Sequence, residues 1–308
     1  MPEEAWGRWG QEDERGALNY IGTSEVLRAT RLVRTGEAIS LAQPLSPETP
    51  VPNHRGPMQH FMQRDGGDYA AGAKRPGGFQ FAEDTVVMAL QFGTHIDALC
   101  HAWHDDKLYN GFPSAGTRST TRAVRCGVEK MGPIVARGVL LDVLDASGNA
   151  LAKGTPVTRE QLAQSAERAD VVIGRGDVVL IRTGWIETML DDPHYYDGEP
   201  GIDVEAARWL AEAGVAVIGS DNFAVEHIPF APGTVFPVHQ LVIRGYGIAL
   251  LEGLVLAPLA AKGVSEFMFV AARGFDLDHL RAEVREEERG ERAGEILRQV
   301  EHAQPREP

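Results

Sequence analysis

Only two cysteines, Cys100 and Cys126, occur in 308 residues, which excludes a disulfide framework and fits reduced thiols. No run of 18 apolar residues is present, so no helical membrane span is expected. The opening Met-Pro-Glu-Glu-Ala-Trp-Gly-Arg lacks a basic segment followed by an apolar one. A secretory signal is therefore not expected, and a cytoplasmic location is. Positive charge is scarce: 30 Lys and Arg stand against 44 Asp and Glu, a net charge of -14. That balance argues against nucleic acid and anionic membranes as partners and leaves a small-molecule substrate as the expectation. No internal repeat appears, and no linker divides the chain. With 43% hydrophobic residues it can build a large core, as one big domain or two closely fused ones.

Among what is present, the stretch Gln91-Phe-Gly-Thr-His95-Ile-Asp97-Ala-Leu-Cys-His101 is the most informative. If residues 85–92 form a strand and Gly93-Thr94 begins a bend, His95 and Asp97 leave the backbone on the same side. Imidazole nitrogen with carboxylate oxygen suits zinc, manganese or iron(II), and the Gln91 amide oxygen offers a further neutral ligand. If a helix starts near Asp97, His101 points back to the same place and becomes the candidate proton carrier. A polar turn whose histidines merely cap a helix is the plainer reading. It leaves charged groups beside an apolar strand without a partner. Cys100 as a nucleophile is disfavoured, because sequence neighbours point apart on a strand or helix.

This stretch resembles the signature of the metal-dependent cyclase family, which includes bacterial kynurenine formamidases and isatin hydrolases and reads His-x-Gly-Thr-His-x-Asp-x-Pro-x-His. Gly93, Thr94, His95, Asp97 and His101 match; Gln91 stands in place of the first histidine and Leu99 in place of the proline. An amide oxygen in place of imidazole weakens metal affinity and favours a harder ion. Trp9-Gly-x-x-Asp-Glu-x-Gly-Ala-Leu-Asn19 and Lys107-Leu-Tyr-Asn-Gly111 are similar to longer members of the family. The resemblance, over about residues 5 to 270, implies a swivelling β/β/α architecture, a divalent metal such as Zn or Mn, and a homodimer.

Elsewhere the chain alternates. A helix is expected from Ser24 to Arg34 and a strand at Ile39–Leu41, followed by a long Pro- and Gly-rich segment from Pro44 to about Gly78. Loops of that length are uncommon and tend to be functional, so His54, Arg55, His60 and Phe61 are substrate-binding candidates. Trp103 and Tyr109 are candidates for an aromatic wall. Strands are expected at 138–143, 177–183, 215–220 and 247–252, and helices from Thr158 to Arg168 and Val204 to Ala213. The order predicts an α/β fold with a mixed sheet largely buried on both faces. Residues 1–36 read as an N-terminal arm and helix that packs on the body or on a partner subunit. Residues 37–279 read as the catalytic domain and 280–308 as a charged helix.

The second half of the site is expected near Asp221, His239 and Glu252. A glutamate after four apolar strand residues needs a cation, a donor or a proton. His239 with Glu252 also resembles the family's second signature, which implies that they complete the site, with His239 on the metal and Glu252 as a second proton carrier. Asp221 is a candidate for orienting a ligand histidine. The expected activity is hydrolysis of a C-N amide bond in a cyclic or N-acyl, aromatic small molecule. The alternatives are a non-haem iron oxygenase using His95, Asp97 and His239, and a non-catalytic metal- or ligand-binding relative. Ring closure, the reverse direction, is a further alternative.

Overall fold

The apolar runs near residues 138, 178, 217 and 249 lie side by side in one sheet, and their order follows from burial on both faces. The computed structural model describes residues 5–73 and 75–272. Its strands in chain order are β1 (Gln59–Arg64), β2 (Glu83–Val87), β3 (His95–Asp97), β4 (Thr117–Arg118), β5 (Arg122–Ala123), β6 (Ile134–Asp142), β7 (Pro156–Val157), β8 (Val178–Arg182), β9 (Gly201–Ile202), β10 (Val217–Ser220), β11 (Ala249–Glu252) and β12 (Glu266–Ala271). Helices are α1 (Thr23–Thr30), α2 (Gly66–Ala70), α3 (Arg159–Arg168), α4 (Trp185–Met189), α5 (Val204–Glu212) and α6 (Pro237–His239), with a π-helical turn at Gln240–Tyr246 and a further short helix, α7 (Ala257–Ala260). The main sheet runs β12-β6-β8-β10-β11-β3. Its four central strands are parallel, and both edges are antiparallel.

Side-chain alternation along these strands divides the core into two layers. Val139, Leu141, Val179, Ile181, Ile218 and Leu250 face Leu162 of α3, Ala206 and Leu210 of α5, and Leu241 and Val242 of the π-helical turn. Leu140, Val178, Leu180, Val217, Ala249 and Leu251 face the opposite way, with Leu18, Ile21, Leu256 and Phe269. Each fully buried aliphatic side chain contributes about 1.5–3 kcal/mol relative to exposure. The capping box expected at Thr158 holds, Thr158 and Gln161 exchanging hydrogen bonds at the start of α3; at the start of α5 the Asp203 carboxylate accepts from Ala206 N at 2.7 Å. The mixed, doubly covered α/β sheet is thus as expected.

Several local expectations fail. Ile39–Leu41 is not in a strand; β2 ends at Val87, and residues 88–94 are irregular; α1 ends at Thr30. The long segment is not structureless, because β1 and β2 pair antiparallel as a separate two-stranded sheet. No helix starts near Asp97; the chain turns there, with His101 N donating to Ala98 O at 2.9 Å. The N-terminal arm folds onto its own chain: the Trp6 indole donates to Arg244 O at 2.7 Å, and the Asn110 amide donates to the carbonyls of Gly10, Gln11 and Asp13. The charged helix expected for 280–308 lies outside the described residues.

Candidate metal centre

The site forms where the edge strand β3 meets β11. Antiparallel register sets His95 opposite Glu252 and Asp97 opposite Leu250. The Gly-Thr pair of the motif clamps this edge. Thr94 Oγ1 donates to Gly253 O at 2.6 Å and accepts from Gln43 N at 2.8 Å, while Gln43 Nε2 donates to the same carbonyl at 2.8 Å. The backbone approach is so close that a Cβ on Gly253, whose φ is 63°, would lie 2.7 Å from the Gly93 carbonyl oxygen.

The third contributor comes from α6. His239 is buried, with its Nε2 3.2 Å from Glu252 Oε1 and 3.8 Å from Asp97 Oδ2. His95 Nε2 lies 3.1 Å from Glu252 Oε2 and 3.8 Å from Asp97 Oδ1, and His101 Nδ1 lies 3.7 Å from the same Asp97 oxygen. His95, Asp97 and Glu252 bring ligand atoms within 4.8 Å of one another, as do Asp97, His101 and His239, so Asp97 belongs to both groups. His95 Nε2, both Asp97 oxygens and Glu252 Oε1 are buried without a hydrogen-bond partner. Orphaned nitrogen and carboxylate atoms converging in this way are costly alone and match the donor set of a divalent cation. The residues fit a metal.

Electrostatics follow from this crowding. Burial and the Glu252 charge push the Asp97 carboxyl up to about 7. Burial works against the Glu252 charge, but His239 and His95 outweigh it and hold its carboxyl at about 2. For His239, burial is likewise outweighed by Glu226 and Glu252, which raise the imidazole to about 10. His95 is raised too, the Glu252 carboxylate overcoming burial. Burial and the charge of His239 instead lower His101 to about 4, so it is neutral near pH 7.

A cavity of about 460 Å³ opens above the cluster, with Glu252 and His239 at its base and His54, Arg55, Gln91, His101, Trp103, Phe223 and Phe236 among its walls. Gln91 meets His101, its amide nitrogen 3.3 Å from Nδ1. Three expected wall residues lie elsewhere. His60 and Phe61 stand on β1, exposed, with His60 paired to Asp84 at 2.7 Å. Tyr109 is fully buried and its hydroxyl donates to Asp13 at 3.0 Å, pinning the N-terminal arm. Asp221 orients no histidine: its carboxylate accepts from Thr183 N and Oγ1 and from Gly184 N, at 2.7–2.8 Å, and ties the turn after β8.

The residue that does hold a site histidine is Glu226. Its carboxylate accepts from His239 Nδ1 at 2.7 Å, His239 N at 3.0 Å and Val238 N at 3.1 Å. Sequence reading missed it, although an acid inside the apolar run Phe223-Ala-Val-Glu-His227 was the same kind of signal that singled out Glu252. Phe223 and Phe236 were missed as well, since nothing local distinguishes a cavity-facing aromatic from a core one.

These features define a mixed-sheet α/β protein with a buried histidine and carboxylate cluster that could hold a cation beneath a cavity. A family described as putative cyclase matches residues 39–227, and the chain belongs to it. A crystal structure described as a novel cyclase is 35% identical, with a TM-score of 0.80 over 86% of this chain and 92% of that one. An isatin hydrolase bound to the product analogue thioisatinate is 18% identical, with a TM-score of 0.52 over 76% and 92%. Isatin hydrolase A from Labrenzia aggregata, bound to benzyl benzoate, is 19% identical, with a TM-score of 0.50 over 75% and 91%. The last two show likeness of fold. Among curated proteins none matches.

Proposed function

We propose that the chain is a metal-dependent hydrolase cleaving a C-N amide bond in a cyclic or N-acyl aromatic small molecule. The observation that carries this reading is the convergence of buried His95, Asp97 and Glu252 atoms, four of the cluster's ligand atoms lacking hydrogen-bond partners or nearly so, beside a cavity with aromatic walls. His95, Asp97, His239 and Glu252 would hold a divalent cation, zinc or manganese. Such an ion polarises a carbonyl and lowers the pKa of water from 15.7 to about 7.

The remaining work falls to the chain's own side chains. Neutral His101 faces the cavity and takes a proton from the attacking water or returns it to the departing nitrogen, a role worth about 100- to 10,000-fold. Gln91 sits against the His101 ring and limits its rotation. Trp103, Phe223 and Phe236 offer flat faces for an aromatic ring. Glu252, expected also as a proton carrier, is enclosed between His95 and His239 and serves better as a ligand. A cavity of this volume suits a small molecule, and the isatin hydrolases of similar fold make isatin a first compound to assay. The acidic chain, without nucleic acid or membrane as partner, acts as a homodimer in this reading; no described helix is long and apolar enough to cross a membrane.

Non-haem iron oxygenase sites usually sit in all-β barrels, whereas here helices cover both faces of a mixed sheet, which disfavours that alternative. Dialysis against chelator, then addition of zinc or manganese, tests the proposal with isatin and N-formyl aromatic amides. Activity should vanish and return with the metal; full activity in metal-free protein would overturn it.

A further inference from the structure

Resting on the reading of this cavity as the substrate site, we propose that Arg55 selects the substrate by binding an anionic group, most simply a carboxylate, carried beside the scissile amide. The segment bearing Arg55 is fixed in place. The Tyr196 hydroxyl donates to Pro50 O at 2.7 Å, and Arg55 N donates to Pro52 O at 2.8 Å. At its tip, Arg55 Nη1 donates to Gln91 O at 2.6 Å, and the guanidinium carbon lies 5.6 Å from the centre of the Phe223 ring. The head group is therefore held between a backbone carbonyl and an aromatic face, with most of its five donors still available.

Several arginines in the body have carboxylate partners: Arg28 and Arg137 share Asp177, Arg125 meets Glu14, and Arg182 meets Asp142, whereas Arg244 is held by the carbonyls of His104 and Lys107 and the Trp6 ring, away from the cavity walls. Arg55 has none among the described residues, in a chain with 14 more acids than bases. It is also the lone Lys or Arg among the described cavity walls. None of the cluster residues His95, Asp97, His239 and Glu252 hydrogen-bonds or ion-pairs with it, although its charge reaches Asp97 and His101, so it borders the cation site without being spent on it. A rigid guanidinium with unspent donors facing a partly enclosed aromatic cavity is a carboxylate receptor by geometry and charge. The substrate class becomes an aromatic amide that carries its own acid group.

The test compares binding of 3-phenylpropionate and 3-phenylpropan-1-ol, which share a skeleton and differ in charge, to zinc-loaded protein by calorimetry. Wild type should prefer the carboxylate. Arg55→Gln, which keeps a donor for the Gln91 carbonyl, should reduce that preference by about 10- to 100-fold, and Arg55→Lys should retain most of it. No preference in wild type, or a preference that survives Arg55→Gln because the bound metal takes the carboxylate, would overturn the assignment. Turnover is measured separately with 2-acetamidobenzoate and acetanilide. A binding preference without cleavage of either amide sinks the hydrolase reading and leaves the Arg55 receptor standing. Cleavage of both at equal kcat/KM, with no binding preference, sinks the receptor alone.

Discussion

The Glu226 carboxylate grips His239 twice, accepting its ring Nδ1–H at 2.7 Å and its backbone N–H at 3.0 Å. One acid thereby caps the first turn of α6 and fixes the imidazole with Nε2 toward Asp97 and Glu252. Glu226→Ala should lower metal affinity by about 10- to 100-fold and cost several kcal/mol, because three buried N–H groups, those of Val238 N, His239 N and His239 Nδ1, lose their acceptor. Metal titration by calorimetry alongside urea unfolding measures both effects.

Asp97 illustrates a conflict between folding and function. Its oxygens are buried without donors and face a second carboxylate, which is why its pKa rises to about 7. Asp97→Asn removes this repulsion, so the metal-free variant should melt higher than metal-free wild type, by about 1–2 kcal/mol in stability. Metal should no longer bind tightly. For wild type, zinc at about 100 times its Kd should add about 2.7 kcal/mol, an increase the variant loses. Thermal melts with and without zinc separate the two.

His101 titrates on the acid side of ordinary histidine. Burial and the neighbouring charge of His239 favour the neutral ring, and the folded protein binds this proton more weakly than the unfolded chain does, with a pKa of about 4 against 6.5. The sign follows: this group withdraws stability as pH falls from about 6.5 towards 4, and withdraws nothing above 6.5. A bound divalent cation lowers the pKa further. The His101 ring signals in NMR should thus stay at their neutral position at pH 5.5, and His101→Ala should keep metal content while losing about 100- to 10,000-fold in kcat.

The legible parts of the sequence were those with a local cause. Central strands of consecutive apolar residues, the Thr158 capping box, and the i, i+2 spacing of His95 and Asp97 each follow from the chain's own periodicity. Glu252 was readable because a charge that ends an apolar strand needs a partner. What escaped depends on tertiary placement. Tyr109 looks like a cavity aromatic until Asp13 claims its hydroxyl, and His60 leaves the site because β1 pairs with β2. Gln91 occupies a ligand position in the motif, yet its amide nitrogen faces His101.

Asp221 and Glu226 lie five residues apart, both buried and both accepting three hydrogen bonds, so they form a matched pair of controls. Every bond to Asp221 comes from Thr183 or Gly184, in the turn that leads from β8 into α4, and none reaches a site histidine. Asp221→Ala strands the two backbone N–H groups and the Thr183 hydroxyl, and should cost about 2–4 kcal/mol. Its metal affinity should stay within about threefold of wild type at temperatures where the variant remains folded. Asp221→Asn turns an NH₂ toward the Gly184 or Thr183 donors and should cost somewhat less. If Asp221→Ala lowers metal affinity as much as Glu226→Ala does, holding the turn and holding the ligand are not separate roles. Calorimetric titration of the two variants side by side, below their melting temperatures, decides it.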